Sequence, residues 1–196
     1  MNYANMTLSE LKHQLIGEAK KGYPFFVAGI LFWLVMGGLQ FVISSQKQLA
    51  LCYIIGMGSI FPIAIAIGQL LQVNLLSKNP LGTLGGIIGG IQAFFLPVWI
   101  IVYLERPELV PMTVGVLVAS HFLPYAWIYQ SKTYLLFTIA MAALSVVFGY
   151  VLNDLAFTVL PFVLAGVYLI TVIGLLMETK KFNRTMVNVI EHSSVS

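Results

Sequence analysis

Six stretches of the chain are almost unbroken apolar runs, and the polar and charged residues are confined to the short segments between them. The runs cover approximately 24–45, 49–71, 83–104, 109–129, 133–152 and 156–177, and none contains Asp, Glu, Lys or Arg. A hydrocarbon core of roughly 30 Å takes about 20 residues of helix to cross. Each run is that long, so the pattern predicts six membrane-spanning helices. The separators are tight: Ser44-Ser45-Gln46-Lys47-Gln48, Ser77-Lys78-Asn79-Pro80, Glu105-Arg106-Pro107-Glu108, Gln130-Ser131-Lys132 and Asn153-Asp154. Connections this short force consecutive helices to run antiparallel. The expected architecture is all-α: a polytopic membrane protein with a six-helix transmembrane domain over 24–177, an amphipathic segment over 1–23 and a tail over 178–196.

The segment before the first run has a pattern of its own. Thr7-Leu8-Ser9-Glu10 carries the S/T-x-x-E spacing in which a hydroxyl and a carboxylate cap the first turn of a helix reciprocally. Leu8, Leu11, Leu15 and Ile16 then share one face, while Glu10, Lys12, Glu18, Lys20 and Lys21 make the rest polar. Residues 7–21 therefore read as an amphipathic helix along the membrane interface. Acidic residues and a span-length apolar run argue against a cleavable secretory signal. After the sixth run, 178–190 is expected to continue as a helix before a polar end at 191–196.

Composition sharpens this picture. Of 196 residues, 59% are hydrophobic and only 9% charged, against about 25% charged in soluble domains. The formal charge of +3 is scattered, which excludes a nucleic-acid binder. One cysteine, Cys52, excludes an internal disulfide. The basic residues are asymmetric: Lys12, Lys20, Lys21, Lys78, Lys132, Lys180, Lys181 and Arg184 fall on the side of the termini, and Lys47 and Arg106 on the other. Lys and Arg near a span resist translocation, so both termini are expected in the cytoplasm, across a bacterial-type plasma membrane.

Pro62, Pro97, Pro124 and Pro161 fall inside runs, where each removes the donor for the carbonyl four residues earlier, on Gly58, Ala93, Ser120 and Phe157. Four kinks are expected. The third run opens with Gly82-x3-Gly86-x3-Gly90 beside Gly85-x3-Gly89-x3-Ala93, and small residues four apart let helix backbones approach closely in lipid. That predicts a central third helix and leaves open a homo-oligomer through it.

With no Asp, Glu, Lys or Arg inside any run, the one ionisable group of comparable depth is His121. Spacing of four places His121, Tyr125 and Tyr129 on one stripe of the fourth span. Ser59, Gln92 and Tyr168 lie at similar depth in the second, third and sixth. These six residues are the candidates for a mid-membrane polar pocket, against the alternative that they serve as interhelical hydrogen-bond glue. His13 and His192 lie in the tails, too far from His121 to complete a haem or catalytic zinc site, so no cofactor is expected. Ser120 and His121 point about 100° apart on a helix and do not form a nucleophile and base.

Ser120 to Lys132, with His121-Phe122-Leu123-Pro124 running on to Tyr129, resembles the fourth span of a small family of bacterial six-span membrane proteins. Gly22-Tyr23-Pro24-Phe25-Phe26 is similar to the start of its first span. The resemblance implies six spans and no activity. Three functions then stand in order: binding or facilitated passage of a small neutral or weakly basic solute, a non-transporting membrane subunit such as a scaffold, sensor or immunity-type protein, and last an intramembrane enzyme.

Overall fold

The structure, a computed structural model, describes residues 3–193, and the last three residues of the expected polar end lie outside it. Among the described residues the regular structure is helical throughout. Helix α1 (Leu8–Ala19) begins with the expected capping box: the Glu10 N–H donates to Thr7 Oγ1 at 3.3 Å and the Thr7 N–H to Glu10 Oε2 at 2.7 Å. The Thr7 N–H, and after it the Thr7 hydroxyl donating to Oε2 at 2.8 Å, hold the Glu10 carboxyl below its ordinary range.

Rather than lying bare on the interface, α1 is docked on the end of the bundle. Leu15, Ile16 and Ala19 are buried, and the buried Lys12 ammonium stands 3.5 Å from the centroid of the Trp127 ring. The 71–79 connection straps it down. Asn79 Nδ2 donates to the Leu11 carbonyl at 2.8 Å, the Asn74 N–H donates to the Glu18 carbonyl at 3.1 Å, and the Ser77 hydroxyl donates to the Glu18 carboxylate.

Lys20, Lys21 and Gly22 turn the chain into α2 (Tyr23–Leu39) with φ of 45°, 55° and 66°. Left-handed φ suits Gly22 and costs about 1–2 kcal/mol at each lysine. A side chain at Gly22 would also press on the Tyr134 and Tyr129 hydroxyls, 3.3 and 3.6 Å away. What holds the turn is tertiary: the Tyr134 hydroxyl donates to the Lys21 carbonyl at 2.8 Å, and the buried Lys21 ammonium pairs with Glu178 at 2.7 Å.

The second span is broken. Helices α3 (Gln46–Met57) and α4 (Ile60–Leu70) meet at 48°. The third is one continuous helical segment over Pro80–Glu105, in which α5 (Pro80–Gly90) tightens to a 3₁₀ stretch at Ile91–Phe95 before α6 (Leu96–Glu105). Then follow α7 (Val110–Ile128), α8 (Lys132–Val146) with a π-helical turn at Val147–Val151, and α9 (Leu160–Ser193), which carries the sixth span onward through the expected tail helix. Among the described residues, counting the bent pair once, six segments are long and apolar enough to cross a bilayer. The chain is a multi-pass membrane protein.

Of the four expected kinks, one is a break, the 48° bend before Pro62. Pro62 and Pro97 each sit in the first turn of the helix that follows an interruption, where no donor is needed. Pro161 likewise falls in the first turn of α9. Pro124 stays within a continuous α7.

The most extensive interfaces join α7 to α8 and α2 to α9, with α8 against α9 completing a solid half. Phe26 of α2 is its hub, with ring centroids 5.0 Å from Phe122, 5.2 Å from Tyr134, 4.9 Å from Phe137 and 5.6 Å from Tyr168. Helix α4 lies chiefly on α2, and α5 chiefly on α7 and α1. The third span is therefore peripheral, not central. Only 6% of its most apolar stretch is buried, against 44% for α7. Its glycines seat one neighbour on one stripe, while Gly86 and Gly90 on the other have no side chain or neighbouring backbone against them.

Candidate functional site: a polar strip beside two interrupted spans

The site is built on α7. The Tyr125 hydroxyl donates to the Gly85 carbonyl of α5. A Cβ added at Gly85 would lie 3.3 Å from the Tyr125 ring, and one at Gly89 would lie 3.4 Å from its hydroxyl. The glycine stripe thus acts within the chain, as the seat for this tyrosine. Tyr129, one turn further on, is buried and stacks on Tyr125 at 6.1 Å and on Tyr134 at 5.7 Å, with the planes 17° and 21° apart. The three parallel rings close the strip toward the end that carries α1.

His121 stands one turn before Tyr125 and meets it edge-on at 6.2 Å. Its Nδ1 lies within hydrogen-bond distance of the Val118 carbonyl. A carbonyl only accepts, so Nδ1 carries the proton and Nε2 keeps a lone pair. Because α5 runs antiparallel to α7 with Gly85 against Tyr125, the 3₁₀ stretch of the third span comes to within about one turn, ~5 Å, of the level of His121.

Gln92 lies in that stretch, and both its amide oxygen and its amide nitrogen are buried without a hydrogen-bond partner. Burying an unpaired polar group costs about 1–3 kcal/mol, so such atoms call for an explanation. Trp99 Nε1, seven residues on and thus on the same face, is in the same condition, as is the Tyr53 hydroxyl of α3. Among the described residues, three of the four with buried orphan atoms belong to the second and third spans. The fourth, Ser145, packs at the tight α7–α8 crossing, where its Oγ lies over Gly115.

The six residues singled out from the sequence do not all meet. His121, Tyr125 and Tyr129 form the strip, and Gln92 lies alongside it. Tyr168 is buried on α9 inside the aromatic cluster, 4.9 Å from Phe137, with Phe26 and Phe122 between it and the strip. Ser59 is exposed at the break between α3 and α4, its hydroxyl donating to the Gly56 carbonyl at 2.6 Å. It satisfies the interruption and does not face the others.

A family model matches residues 8–178, from the first residue of α1 to the carboxylate that pairs with Lys21. The chain belongs to DUF7010, a family of unknown function. Neither a curated protein nor a solved structure matches it. The DUF7010 region contains every span, and the stretches Gly22–Phe26 and Ser120–Lys132 that carried the resemblance fall inside it.

One concentration of polar groups in this DUF7010 chain was legible from the sequence only as topology. Glu178 receives Lys21 Nζ on one carboxylate oxygen and, on the other, the Thr133 N–H at 3.1 Å and the Thr133 hydroxyl at 2.7 Å. It thereby caps the start of α8. Burial alone would raise the Glu178 carboxyl, but the bonds from Lys21, Ser131 and Thr133 outweigh it and hold it below the usual carboxylate range. The available signal was Lys20-Lys21-Gly22, two lysines forced into a turn just outside a span.

Proposed function

We propose that this DUF7010 protein binds a small neutral or weakly basic solute at mid-membrane, between the second and third spans and the His121 face of α7, and lets it pass. Irregular backbone at membrane depth is tolerated where protein buries it or where it lines a polar cavity, and a broken helix such as α3–α4 is a recurring setting for solute sites. The observation that carries the reading is the Gln92 amide, a donor and an acceptor both buried and both unspent. With the free lone pair on His121 Nε2, it offers two acceptors and a donor, which suits a solute with N–H or O–H groups and no net negative charge. Tyr125 and Tyr129 wall the strip. Under this reading the membrane is a plasma membrane with both termini on the cytoplasmic side, following the eight-to-two distribution of Lys and Arg.

The test is osmotic swelling of proteoliposomes in glycerol, acetamide or methylamine, followed by stopped-flow light scattering. Permeation of at least one solute should exceed that of empty vesicles. His121→Ala with Gln92→Ala, removing hydrogen bonds worth about 1 kcal/mol each, should reduce it roughly tenfold or more. Empty-vesicle rates for all three solutes, or wild-type rates in the double variant, would overturn the reading.

A second reading, a non-transporting subunit, is favoured by one observation. His121 and Tyr125 already spend a hydrogen bond each on a backbone carbonyl, while Gly86 and Gly90 have open space over them, as a helix of a partner or of a second copy would require.

A further inference from the structure

The strip on α7 ends beneath α1. Leu15 of α1 packs on α5 at Gly82, where an added Cβ would lie 3.3 Å from Leu15 Cδ1. One turn earlier on α1, the Lys12 ammonium stands 3.5 Å from the centroid of Trp127, in the last turn of α7. A single short helix therefore touches both helices that meet through Tyr125 and Gly85, and does so within about one turn of that contact. The Asn79 side chain, at the start of α5, fixes it there by donating to the Leu11 carbonyl at 2.8 Å.

Two features make α1 a unit that can move. Its start is closed within itself, because Thr7 and Glu10 cap each other and need nothing from the bundle. Its other end is the Lys20–Gly22 turn, left-handed at all three residues. Strained backbone of this kind collects at switch regions, where the surroundings hold it in place. Here the surroundings are the wall of the strip. The Tyr134 hydroxyl donates to the Lys21 carbonyl at 2.8 Å, and the Tyr134 ring lies parallel to those of Tyr125 and Tyr129 at 5.8 and 5.7 Å. The same tyrosines line the strip on one side and brace the hinge on the other.

An undocked α1 has a second place to rest. Its docked face, Leu15, Ile16 and Ala19, is the face that an amphipathic helix turns into the headgroup region of a bilayer. One apolar face with two ways of being buried gives two discrete states rather than a continuum. We propose that α1 is a hinged lid over the strip, docked in this structure, which swings about Lys20–Gly22 onto the membrane surface to admit solute at that end. The lid rests on the reading of the strip as a solute site. The tyrosines link the two: a solute that takes the Tyr125 hydroxyl from the Gly85 carbonyl disturbs the rings that brace Lys21.

The experiment has two arms, both on the full chain in a Cys52→Ser background. The first measures thiol modification by a charged methanethiosulfonate in phosphatidylcholine nanodiscs. Leu15→Cys, at a position 2% exposed under the docked helix, should react about tenfold or more faster than Ser131→Cys, at a position 4% exposed on the fixed α7–α8 connection. Ala19→Cys, on the same docked face and leaving no cavity, should also outpace Ser131→Cys. Lys12→Met, which removes the ammonium from Trp127 and keeps an apolar stem, should speed both lid positions and leave Ser131→Cys unchanged. Equal rates at lid and connection, a slow Ala19→Cys, or lid rates indifferent to Lys12→Met would each overturn the lid. In the second arm, Lys12→Cys and Trp127→Cys are tethered by a bifunctional methanethiosulfonate and solute passage is read by proteoliposome swelling. Passage should fall to the empty-vesicle rate and return with dithiothreitol, and undiminished passage would overturn the proposal. A wild type that passes no solute removes the reading of the strip instead, and the thiol rates alone then decide whether α1 opens.

Discussion

In the half made by α2, α7, α8 and α9, the rings of Phe26, Phe122, Tyr134, Phe137 and Tyr168 interlock with centroids 4.9 to 6.0 Å apart. The half made by α3–α4 and α5–α6 is bent at the α3–α4 break and tightens to 3₁₀ in its other span, and it lies against the first half through α2 and α7. Lipid supplies no hydrophobic drive between helices, so association rests on close packing and hydrogen bonds. The solid half has packing to spare. In the other half α4 packs extensively on α2, whereas the third span is held by a few specific contacts, such as Tyr125 on Gly85, and among the described residues this half carries most of the orphaned polar atoms. A rigid platform with less anchored, polar-lined spans beside it is the division of labour expected of a membrane protein that handles a solute.

The comparison is broken most forcefully from the solid side. Phe26→Ala removes the hub of five rings and should cost about 3–5 kcal/mol, read as loss of folded fraction in a detergent unfolding titration. Next comes Glu178→Ala, which leaves the buried Lys21 ammonium uncompensated over a strained turn and should cost about 3 kcal/mol. The same carboxylate predicts a pH dependence. Its folded-state pKa lies below the unfolded one, so its contribution is fully present above the ordinary carboxylate range and is lost as the pH falls through the lowered folded value. Melting of the wild type should therefore fall on acidification more steeply than melting of Glu178→Gln.

The interrupted side should respond less. Tyr125→Phe removes one hydrogen bond to the Gly85 carbonyl and should cost about 1 kcal/mol. Phe94→Ala, at an 80% exposed position on the third span, should change stability by less than about 0.5 kcal/mol. A large loss there would mean that the third span is buried against a partner, and the contrast between the halves would then belong to the isolated chain alone.

Much of the fold was legible because in lipid the sequence pattern and the architecture are nearly the same thing. Runs without charge became spans, and Thr7 and Glu10 became a capping box. Pro62 follows a break, but Pro97 opens α6 within a continuous span, Pro161 falls in a first turn and Pro124 is absorbed, since a proline fixes its local dihedral and not the fate of the helix around it. The glycine stripe misled in a specific way. Small residues report that something approaches closely, and one tyrosine ring at Gly85 and Gly89 satisfies that signal without a central position. Of the polar candidates, the α7 stripe followed from helical periodicity. Tyr168 was separated from it by Phe26 and Phe122, which no spacing rule encodes. The Lys21–Glu178 pair joins residues 157 positions apart, and both look like ordinary flanking charges until the tertiary structure brings them together.

The claim on which the rest depends is that Gln92 faces a water-filled or solute-filled polar space rather than dry packing or lipid. Thiols react with methanethiosulfonate reagents as thiolates, which form where water reaches them. In a Cys52→Ser background, Gln92→Cys should be modified in membranes by a small methanethiosulfonate, and Phe94→Cys, two residues away on the exposed surface, should not. A cysteine at position 92 as unreactive as the one at position 94 would contradict the account.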